Sequence, residues 1–403
     1  MKGKKRHDFF YQFTRVVFQS PLIRRFNYKF DKIKVEDTPY VVVANHVTNF
    51  DPILVGLSFK KSMYYVASDH IMRLGFVSKL LNFAISPIAR AKTATETQTV
   101  ITIFKRLKEK FNVCIFAEGL TSFDGKTGKV QPSIGKLVKR AGVTLVTYRF
   151  TGSFFTFPRW ARFSRKGKME GRLVNIYSPE ELASMTDDEV NQVITKDIYV
   201  NAYEDQEKNP VAYKGKKSAE CLETILYCCP KCRQFGKLSS SNDILSCSCG
   251  FKVRFNEYCY FEIPDSKELP PFKTITQWVK WEREELNHLA RKDIDENTPI
   301  FTDENQQLYE TQRASHNTLI LEGKLCLYKN RLVLGDKEFL LDDIIDISVI
   351  TMKTIIFAVK STVPQDKTSS VCVYEIHSAH PRSALKYMDM LIIYREIKKN
   401  IKE

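Results

Sequence analysis

The sequence predicts an α/β fold for the first half of the chain, followed by a small cysteine-rich module and a β-rich region that ends in a helix. Three observations support this prediction. Short apolar runs rich in β-branched residues alternate with helix-like stretches from residue 40 to about residue 205. Seven of the ten cysteines then fall between Cys221 and Cys259. Short alternating strands return from about His316.

The first element is a strongly basic segment, since residues 1–35 contain ten lysines or arginines and only two aspartates. Apolar residues recur at helical spacing within it, which predicts an amphipathic helix, and they are Phe9, Phe10, Phe13, Val16 and Val17. Such a helix suits an anionic membrane surface, because lipid attracts its basic residues and accepts its apolar face. Packing of the same phenylalanines on the domain core is the alternative, and the two interpretations are compatible.

We place the first domain at residues 1–210 and expect a mixed sheet flanked by helices. Its predicted strands are residues 40–44, 63–67, 113–117, 143–150 and 173–177. Thr186 and Glu189 have the spacing of a capping box, which predicts the start of a helix. The polar segment containing Pro210 and Gly215 then marks the end of the domain.

The cysteine module is expected at residues 219–263. Its predicted metal ligands lie on two turns separated by fourteen residues, and they are Cys229, Cys232, Cys247 and Cys249. Four thiolates on two turns can enclose a tetrahedral Zn²⁺ and stabilise a module with little core, which predicts a structural zinc ribbon. Because one residue separates Cys247 from Cys249 where two are commoner, Cys228, Cys221 and Cys259 remain alternative ligands. Buried free cysteines are the alternative to any metal site.

Two further regions complete the chain. A helical linker is expected at residues 270–315, with an amphipathic helix at 272–292 and a polar loop at 293–315. The alternating strands of residues 316–403 and a final helix predict a small β domain. This arrangement resembles a pleckstrin-homology-type fold, which implies binding of a lipid head group or a partner. The alternative is that the domain only packs on the zinc ribbon.

Composition excludes some classes of protein. With 43% hydrophobic and 27% charged residues, the chain has the balance of a folded protein and not of a disordered or fibrous one. The net charge of +15 favours polyanions: nucleic acid, an anionic membrane or phosphorylated substrates. The ribbon does not interleave basic and aromatic residues, so we do not expect nucleic acid as a partner.

The sequence lacks two kinds of segment that would indicate where the protein is located, a membrane-spanning helix and a secretory signal. No stretch reaches the roughly 18 uncharged apolar residues of a spanning helix, and residues 74–89 come nearest. We also find no secretory signal. We therefore expect a cytoplasmic protein that binds peripherally to the inner face of the cell membrane.

The strongest catalytic signal is the segment from Asn45 to Asp51, which follows the first predicted strand. In an α/β sheet, ligands bind at the carboxyl ends of strands. Across this loop, Asp51 can hold one ring nitrogen of His46 and leave the other free to take a proton, as in a general base. The alternative is that Asp51 caps a helix beginning at Pro52 and that His46 is an ordinary loop histidine.

Further polar residues follow other predicted strands. Glu118 and Gly119 end the strand at 113–117, and a polar turn follows with Thr121 and Ser122. Arg90 ends another short apolar stretch. A base, a carboxylate and a guanidinium at the ends of one sheet suit an alcohol that bears a phosphate.

This order of motifs resembles the glycerolipid acyltransferases of the lysophosphatidate (1-acylglycerol-3-phosphate) acyltransferase type over about residues 5–205. The resemblance implies that His46 deprotonates a glycerol hydroxyl for attack on a thioester and that Asp51 orients it. It also implies that Arg90 binds the phosphate of the acceptor and that Glu118 and Gly119 line the acceptor pocket. The remaining positions of that motif are Thr121 and Ser122.

The sequence departs from the family at two motifs. In the first, Ala117 stands where the family usually has proline, and Leu120-Thr121 stands where it usually has Thr-Arg. One phosphate-binding arginine is therefore missing. In the second, at residues 143–149, Thr144 and Thr147 stand where the family normally has prolines. Arg149, or the basic segment 158–172, is a candidate to supply the missing charge, although a solvated or lipid-facing surface is the alternative for that segment.

The resemblance implies an O-acyltransferase that esterifies a lysophospholipid, with lysophosphatidate as the first choice of acceptor. The expected donor is acyl-CoA or acyl carrier protein, and catalysis requires no cofactor. One alternative is an acyltransferase for another lysolipid or alcohol. Another is an inactive domain in a zinc-ribbon adaptor that binds nucleic acid or protein.

Overall fold

The computed structural model describes residues 2–68, 87–90, 97–311, 317–350, 353–360, 371–378 and 382–402. These residues divide into two compact units. The first contains the described residues up to Ser218 together with Glu257–Cys259, and the second contains Ala219–Asn256 and the described residues from Tyr260 onward. The predicted class, a mixed α/β domain followed by a cysteine cluster and a β-rich region ending in a helix, is confirmed.

The first unit is built on one seven-stranded mixed sheet. Its strands are β1 (Tyr28–Phe30), β2 (Tyr40–Ala44), β3 (Met63–Ser68), β4 (Ile88–Arg90), β5 (Asn112–Phe116), β6 (Thr144–Thr151) and β7 (Met169–Tyr177), in the order β1-β7-β6-β2-β5-β3-β4. Its helices are α1 (Lys2–Phe26), α2 (Asp51–Ser58), α3 (Thr97–Lys108), α4 (Ser133–Ala141), α5 (Ser153–Thr156), α6 (Pro179–Ser184), α7 (Asp187–Ile198) and α8 (Ala202–Lys208). The capping box of Thr186 and Glu189 is present at the start of α7, as predicted.

Strand β2 lies at the centre of this sheet, and all five of its residues are buried. Val42 packs in the core on one face, and Val41 and Val43 pack in the core on the other. Burial on both faces explains the continuous apolar run, which is typical of a central parallel strand. Because Ala44 pairs with Phe116 at the end of β5, the loops after β2 and β5 lie side by side.

Helix α1 packs on its unit through a face that includes His7, Tyr11 and Phe26, all buried. The Tyr11 hydroxyl donates to the carbonyl oxygens of Gly56 at 3.2 Å and Phe59 at 3.1 Å. Of the phenylalanines that the sequence offered as core residues, Phe10 is partly buried, whereas Phe9 and Phe13 are exposed. The exposed apolar residues of α1 are Phe9, Phe13, Val16, Val17 and Phe18, and Phe9 is 64% exposed.

No helix within the described ranges is both long enough and apolar enough to cross a membrane. Most of the apolar stretch at residues 74–89 lies outside the described residues.

The second unit contains two antiparallel sheets. A four-stranded sheet has the order β11-β10-β9-β8 and consists of β8 (Leu238–Ser241), β9 (Ile244–Cys247), β10 (Lys252–Phe255) and β11 (Phe261–Glu262). A seven-stranded sheet has the order β15-β14-β13-β12-β18-β17-β16 and consists of β12 (Phe301–Thr311), β13 (Thr318–Leu327), β14 (Arg331–Leu334), β15 (Lys337–Leu340), β16 (Ile344–Ile350), β17 (Thr354–Lys360) and β18 (Val371–Ser378). The helices are a 3₁₀ turn at Leu222–Thr224, α9 (Ile275–Arg291) and α10 (Leu385–Lys402).

One expectation for this unit is wrong. The polar segment 293–315, expected to be a loop, contains strand β12, which pairs with β13 and β18 in the middle of its sheet. Phe301, Gln306 and Leu308 are buried, whereas most of the other residues of the strand retain contact with water. The strand therefore has too few apolar residues to be recognised from composition.

Glu282 on α9 connects the cysteine module to this helix. Its Oε1 accepts hydrogen bonds from the backbone N–H groups of Tyr227 and Cys228, both at 2.6 Å. Glu282 is fully buried, and burial raises its pKa well above the ordinary value. The Tyr227 hydroxyl donates to Asp389 of α10 at 2.9 Å. Two helices therefore hold the segment that precedes Cys229.

Candidate active site

The imidazole of His46 lies against the carboxylate of Asp51, immediately after β2. The distance from His46 Nδ1 to Asp51 Oδ2 is 2.8 Å. Asp51 is fully buried, whereas the side chain of His46 is 20% exposed. Because a carboxylate accepts hydrogen bonds, it favours the tautomer with the proton on Nδ1 and leaves Nε2 able to accept one. The ring also stacks on Phe116, with centroids 4.3 Å apart.

Asp51 holds the loop as well as the imidazole. Its Oδ2 accepts from the backbone N–H groups of Val47 at 2.6 Å and Thr48 at 2.9 Å, and its Oδ1 accepts from the Thr48 hydroxyl at 2.7 Å. The first residue of α2 is Asp51, and the N-cap residue Phe50 makes no side-chain cap. The carboxylate thus points back over the preceding loop and does not cap its own helix.

Sequence reasoning assigned no role to two residues of this loop. Thr48 bonds to Asp51, and Asn45 spans from the end of β2 to β6, where its side chain exchanges two hydrogen bonds with the backbone of Phe150. Both residues lie inside the segment 45–51 that sequence analysis singled out. Their position in this segment could have marked both residues as candidates. Their hydrogen-bond partners, however, can be identified only from the tertiary structure.

Glu118 links the loop after β5 to His46. Its Oε1 accepts from the backbone N–H of His46 at 2.6 Å, and its Oε2 accepts from the backbone N–H of Gly128 at 2.6 Å. Burial raises the pKa of Glu118 to about 8, although both backbone hydrogen bonds oppose that shift. The carboxyl group therefore fixes the main chain on which the imidazole is carried.

The other predicted substrate-binding residues lie on the same loop or against it. The guanidinium of Arg90 lies so close to Gly119 that a Cβ there would be 2.5 Å from Nη1, and Gly119 has a φ of +74°. Both facts favour glycine at this position. The backbone N–H of Ser122 donates to the carbonyl oxygen of His46 at 2.9 Å. Thr121 accepts a hydrogen bond from Arg159 Nη1 at 3.1 Å.

A small recess adjoins the loop that carries His46, and His46 is part of its lining. It is lined by the loop after β2, the loop after β5, residues 152–154, Val200 and Ala202. Its polar lining includes Glu118 and Ser122. The structure thus brings these two predicted residues to the same recess as His46.

The second predicted site lies in the other unit. Sulfur atoms that all lie within 4.8 Å of one another belong to Cys229, Cys232, Cys247 and Cys249, and together they could hold a metal ion. Of the alternative ligands, Cys228 is buried, and its backbone carbonyl accepts from Trp278 Nε1 at 3.0 Å. Cys259 belongs to the first unit, where Arg165 Nη1 lies 3.4 Å from its Sγ. The structure therefore groups Cys229, and not Cys228, with the other three cysteines.

Comparison with known proteins bears on the first unit. A model of the acyltransferase family matches residues 25–151, a range that includes His46, Asp51 and the loop after β5. The chain contains an acyltransferase domain. The predicted enzyme class, an O-acyltransferase, is confirmed by this match. Arg159 and the cysteine cluster lie outside the matched range.

Among solved structures, part of the chain is similar to the 1-acyl-sn-glycerophosphate (LPA) acyltransferase PlsC from Thermotoga maritima. The similarity covers 50% of this chain and 78% of that chain, with 17% sequence identity and a TM-score of 0.39. No curated protein sequence matches the chain.

The pH dependence of stability tests the environment of Glu118. Its pKa of about 8 in the folded protein lies above the ordinary value of 4.5, so the folded state retains a proton that the unfolded state releases. This stabilisation is complete below about pH 4.5 and is lost as the pH rises through about 8. Relative to Glu118→Gln, which cannot titrate, we expect the Tm of the wild type to fall by roughly 5 °C from pH 5 to pH 9.

Thermal unfolding followed by circular dichroism measures this difference. Glu207→Gln, at an exposed position on α8, serves as the control and should follow the wild type at every pH. A wild-type Tm that does not fall relative to that of Glu118→Gln between pH 5 and pH 9 would contradict the protonated state of Glu118.

Proposed function

We propose that the protein transfers an acyl group from an acyl thioester to the free glycerol hydroxyl of a lysophospholipid, with lysophosphatidate as the acceptor. The contact between His46 Nδ1 and Asp51 Oδ2 at 2.8 Å, inside the range that matches the acyltransferase family, carries this proposal. Such a contact gives a base whose second nitrogen faces away from its orienting carboxylate.

The reaction follows from this arrangement. Nε2 of His46 takes the proton of the glycerol hydroxyl while the oxygen attacks the thioester carbonyl. The tetrahedral intermediate collapses, the carbon–sulfur bond breaks, and the imidazolium returns the proton to the thiolate. A positioned base of this kind contributes typically 10²- to 10⁴-fold to a rate. None of these steps uses a metal.

The charges around the base support a phosphorylated acceptor. Arg90 lies against Gly119 in the loop that bonds to the His46 main chain. A guanidinium is well matched to a phosphate because it presents several donors in a fixed plane. For the donor, the net charge of +15 suits both acyl-CoA and the acidic acyl carrier protein. Assays with both donors, and with a panel of lysolipid acceptors, distinguish these choices.

We further propose that the cysteine cluster binds one structural zinc ion. The distance from Cys229 Sγ to Cys249 Sγ is 3.7 Å, and that from Cys232 Sγ to Cys247 Sγ is 3.8 Å. Tetrahedral Zn²⁺ with bonds of about 2.3 Å requires sulfur atoms about 3.8 Å apart. The donor set therefore fits this ion in both number and spacing.

We also propose that the protein binds peripherally to an anionic membrane on the cytoplasmic side, and the exposed face of α1 supports the binding to a membrane. Phe9, Phe13 and Val16 lie on the side of the helix opposite to His7 and Tyr11, which are buried. Exposed Lys5, Arg6, Arg24 and Arg25 flank these apolar residues in the sequence. Apolar side chains beside cations match the acyl and headgroup layers of an anionic bilayer.

Replacement of the base tests the proposed function. We expect His46→Ala to lower kcat for acyl transfer to lysophosphatidate by about 10²- to 10⁴-fold, because the hydroxyl then loses its proton acceptor. The measurement is the release of CoA thiol from acyl-CoA. Asn49→Ala changes an exposed residue of the same loop and should keep the wild-type rate. Equal rates for wild type and His46→Ala, with folding verified by circular dichroism, would refute the assignment.

Metal analysis tests the zinc site. We expect about one zinc per purified chain by mass spectrometry of the metal, and we expect Cys232→Ser and Cys247→Ser to lose zinc and stability. Cys372→Ser, a change of a partly exposed cysteine outside the cluster, should keep the zinc. Zinc far below one per chain in the wild type would count against the site.

Vesicle sedimentation tests the membrane surface. We expect the wild type to bind vesicles containing phosphatidate more strongly than neutral phosphatidylcholine vesicles. The double change Phe9→Ser and Phe13→Ser should weaken binding by about tenfold or more, since it removes two inserted rings. The matched control is Ile101→Ser, which changes an exposed apolar residue of α3. Undiminished binding by the double variant would rule out this face.

A further inference from the structure

Arg159 lies on the turn after α5, outside the residues that match the acyltransferase family. Its Nη1 donates to the Thr121 hydroxyl at 3.1 Å. Its guanidinium also lies over the ring of Phe123, 4.4 Å from the centroid. Contacts at two residues therefore fix this cation against the loop that follows β5.

A second guanidinium reaches the same loop from another direction. Arg90 is the last residue of β4, and its Nη1 lies 2.5 Å from the position that a Cβ atom on Gly119 would occupy. Only one residue separates Gly119 from Thr121 in the sequence. Two guanidinium groups from distant parts of the chain thus lie against a span of three residues.

The residues on both sides of this span, Glu118 and Ser122, form hydrogen bonds with the main chain of His46. Before it, Glu118 Oε1 accepts from the backbone N–H of His46 at 2.6 Å. After it, the backbone N–H of Ser122 donates to the carbonyl oxygen of His46 at 2.9 Å. The loop that both cations contact is therefore held by direct hydrogen bonds to the main chain that carries the imidazole, and such a fixed arrangement suits the positioning of a substrate.

The surroundings of Arg159 favour an anion. The side chain is half-buried, and burial lowers its pKa to about 10 because the charged form loses hydration. The group still carries its charge at neutral pH. Reduced contact with water strengthens the attraction between a guanidinium and a phosphate. A phosphate monoester carries up to about two negative charges near neutral pH, which matches two guanidinium groups.

We propose that Arg159, together with Arg90, binds the phosphate of the acceptor and makes the enzyme select acceptors that carry a phosphate monoester on the glycerol. This inference rests on the proposed function for the identity of the acceptor. It assigns acceptor selection to a residue beyond the matched domain.

The other arginines that sequence analysis considered make different contacts. Arg149 Nη1 lies 3.5 Å from the carbonyl oxygen of Tyr199. Arg165 is buried and donates to the carbonyl oxygens of Phe155 and Ser218. Among the described arginines of residues 149–172, Arg159 is the one whose side chain has a hydrogen bond to Thr121.

Kinetics with two acceptors tests the inference. The acceptors are lysophosphatidate and monoacylglycerol, which share the glycerol hydroxyl but differ in the phosphate. With Arg159→Ala we expect KM for lysophosphatidate to rise about 10- to 100-fold, as for loss of a hydrogen bond to a charged group, with little change in kcat. Transfer to monoacylglycerol should not change. Arg159→Lys should restore part of the affinity for lysophosphatidate.

The control is Arg140→Ala, which removes an exposed arginine at the end of α4 and should keep both KM values. An unchanged KM for lysophosphatidate in Arg159→Ala would overturn the inference. An equal loss of activity towards both acceptors would also overturn it, because that pattern indicates a structural role in holding Thr121 and Phe123.

Binding of inorganic phosphate separates this inference from the proposed function. Titration calorimetry of wild type and Arg159→Ala with phosphate requires no turnover. If the wild type transfers acyl groups to no acceptor but binds phosphate through Arg159, the proposed reaction fails and the anion site stands. If both proteins turn over and bind phosphate equally, the anion site fails and the reaction stands.

Discussion

The buried carboxylate of Asp51 is the interaction on which the rest of the site depends. It accepts hydrogen bonds from two backbone N–H groups, a hydroxyl and an imidazole. A buried charge is stable only when donors surround it, and the loop after β2 supplies most of these donors. The same contacts that stabilise the charge close the loop and orient His46. The same hydrogen bonds therefore determine both the orientation of the imidazole and the conformation of the loop.

Glu118 extends this constraint to the neighbouring strand. Sequence analysis placed this residue in an acceptor pocket, and it does line the recess beside the base. Its two carboxyl oxygens, however, are engaged by the main chain at His46 and Gly128. A carboxyl group in such contacts holds the main chain of its neighbours in place. The loops after β2 and β5 therefore form a single support for the imidazole.

The sequence was informative where a local pattern determines the structure. The apolar, β-branched run at residues 40–44 predicted β2, and the spacing of His46 and Asp51 predicted their contact across one loop. The packing face of α1 was not predictable, because apolar residues occur on opposite sides of that helix and only the tertiary structure decides which side packs. The hydrogen bond between Arg159 and Thr121 could not be predicted for a similar reason. The two residues are 38 positions apart, and no periodic pattern in the sequence connects them.

The hydrogen bonds of Glu282 make the segment before Cys229 dependent on helix α9. The carboxyl group on α9 holds the peptide N–H groups of Tyr227 and Cys228, and Tyr227 in turn reaches α10 through Asp389. A fragment that ends after the cysteine cluster would lack α9 and α10, and the peptide N–H groups of Tyr227 and Cys228 would lose their acceptor. The cysteine segment therefore depends on helices far downstream in the chain, although its motif is short and local.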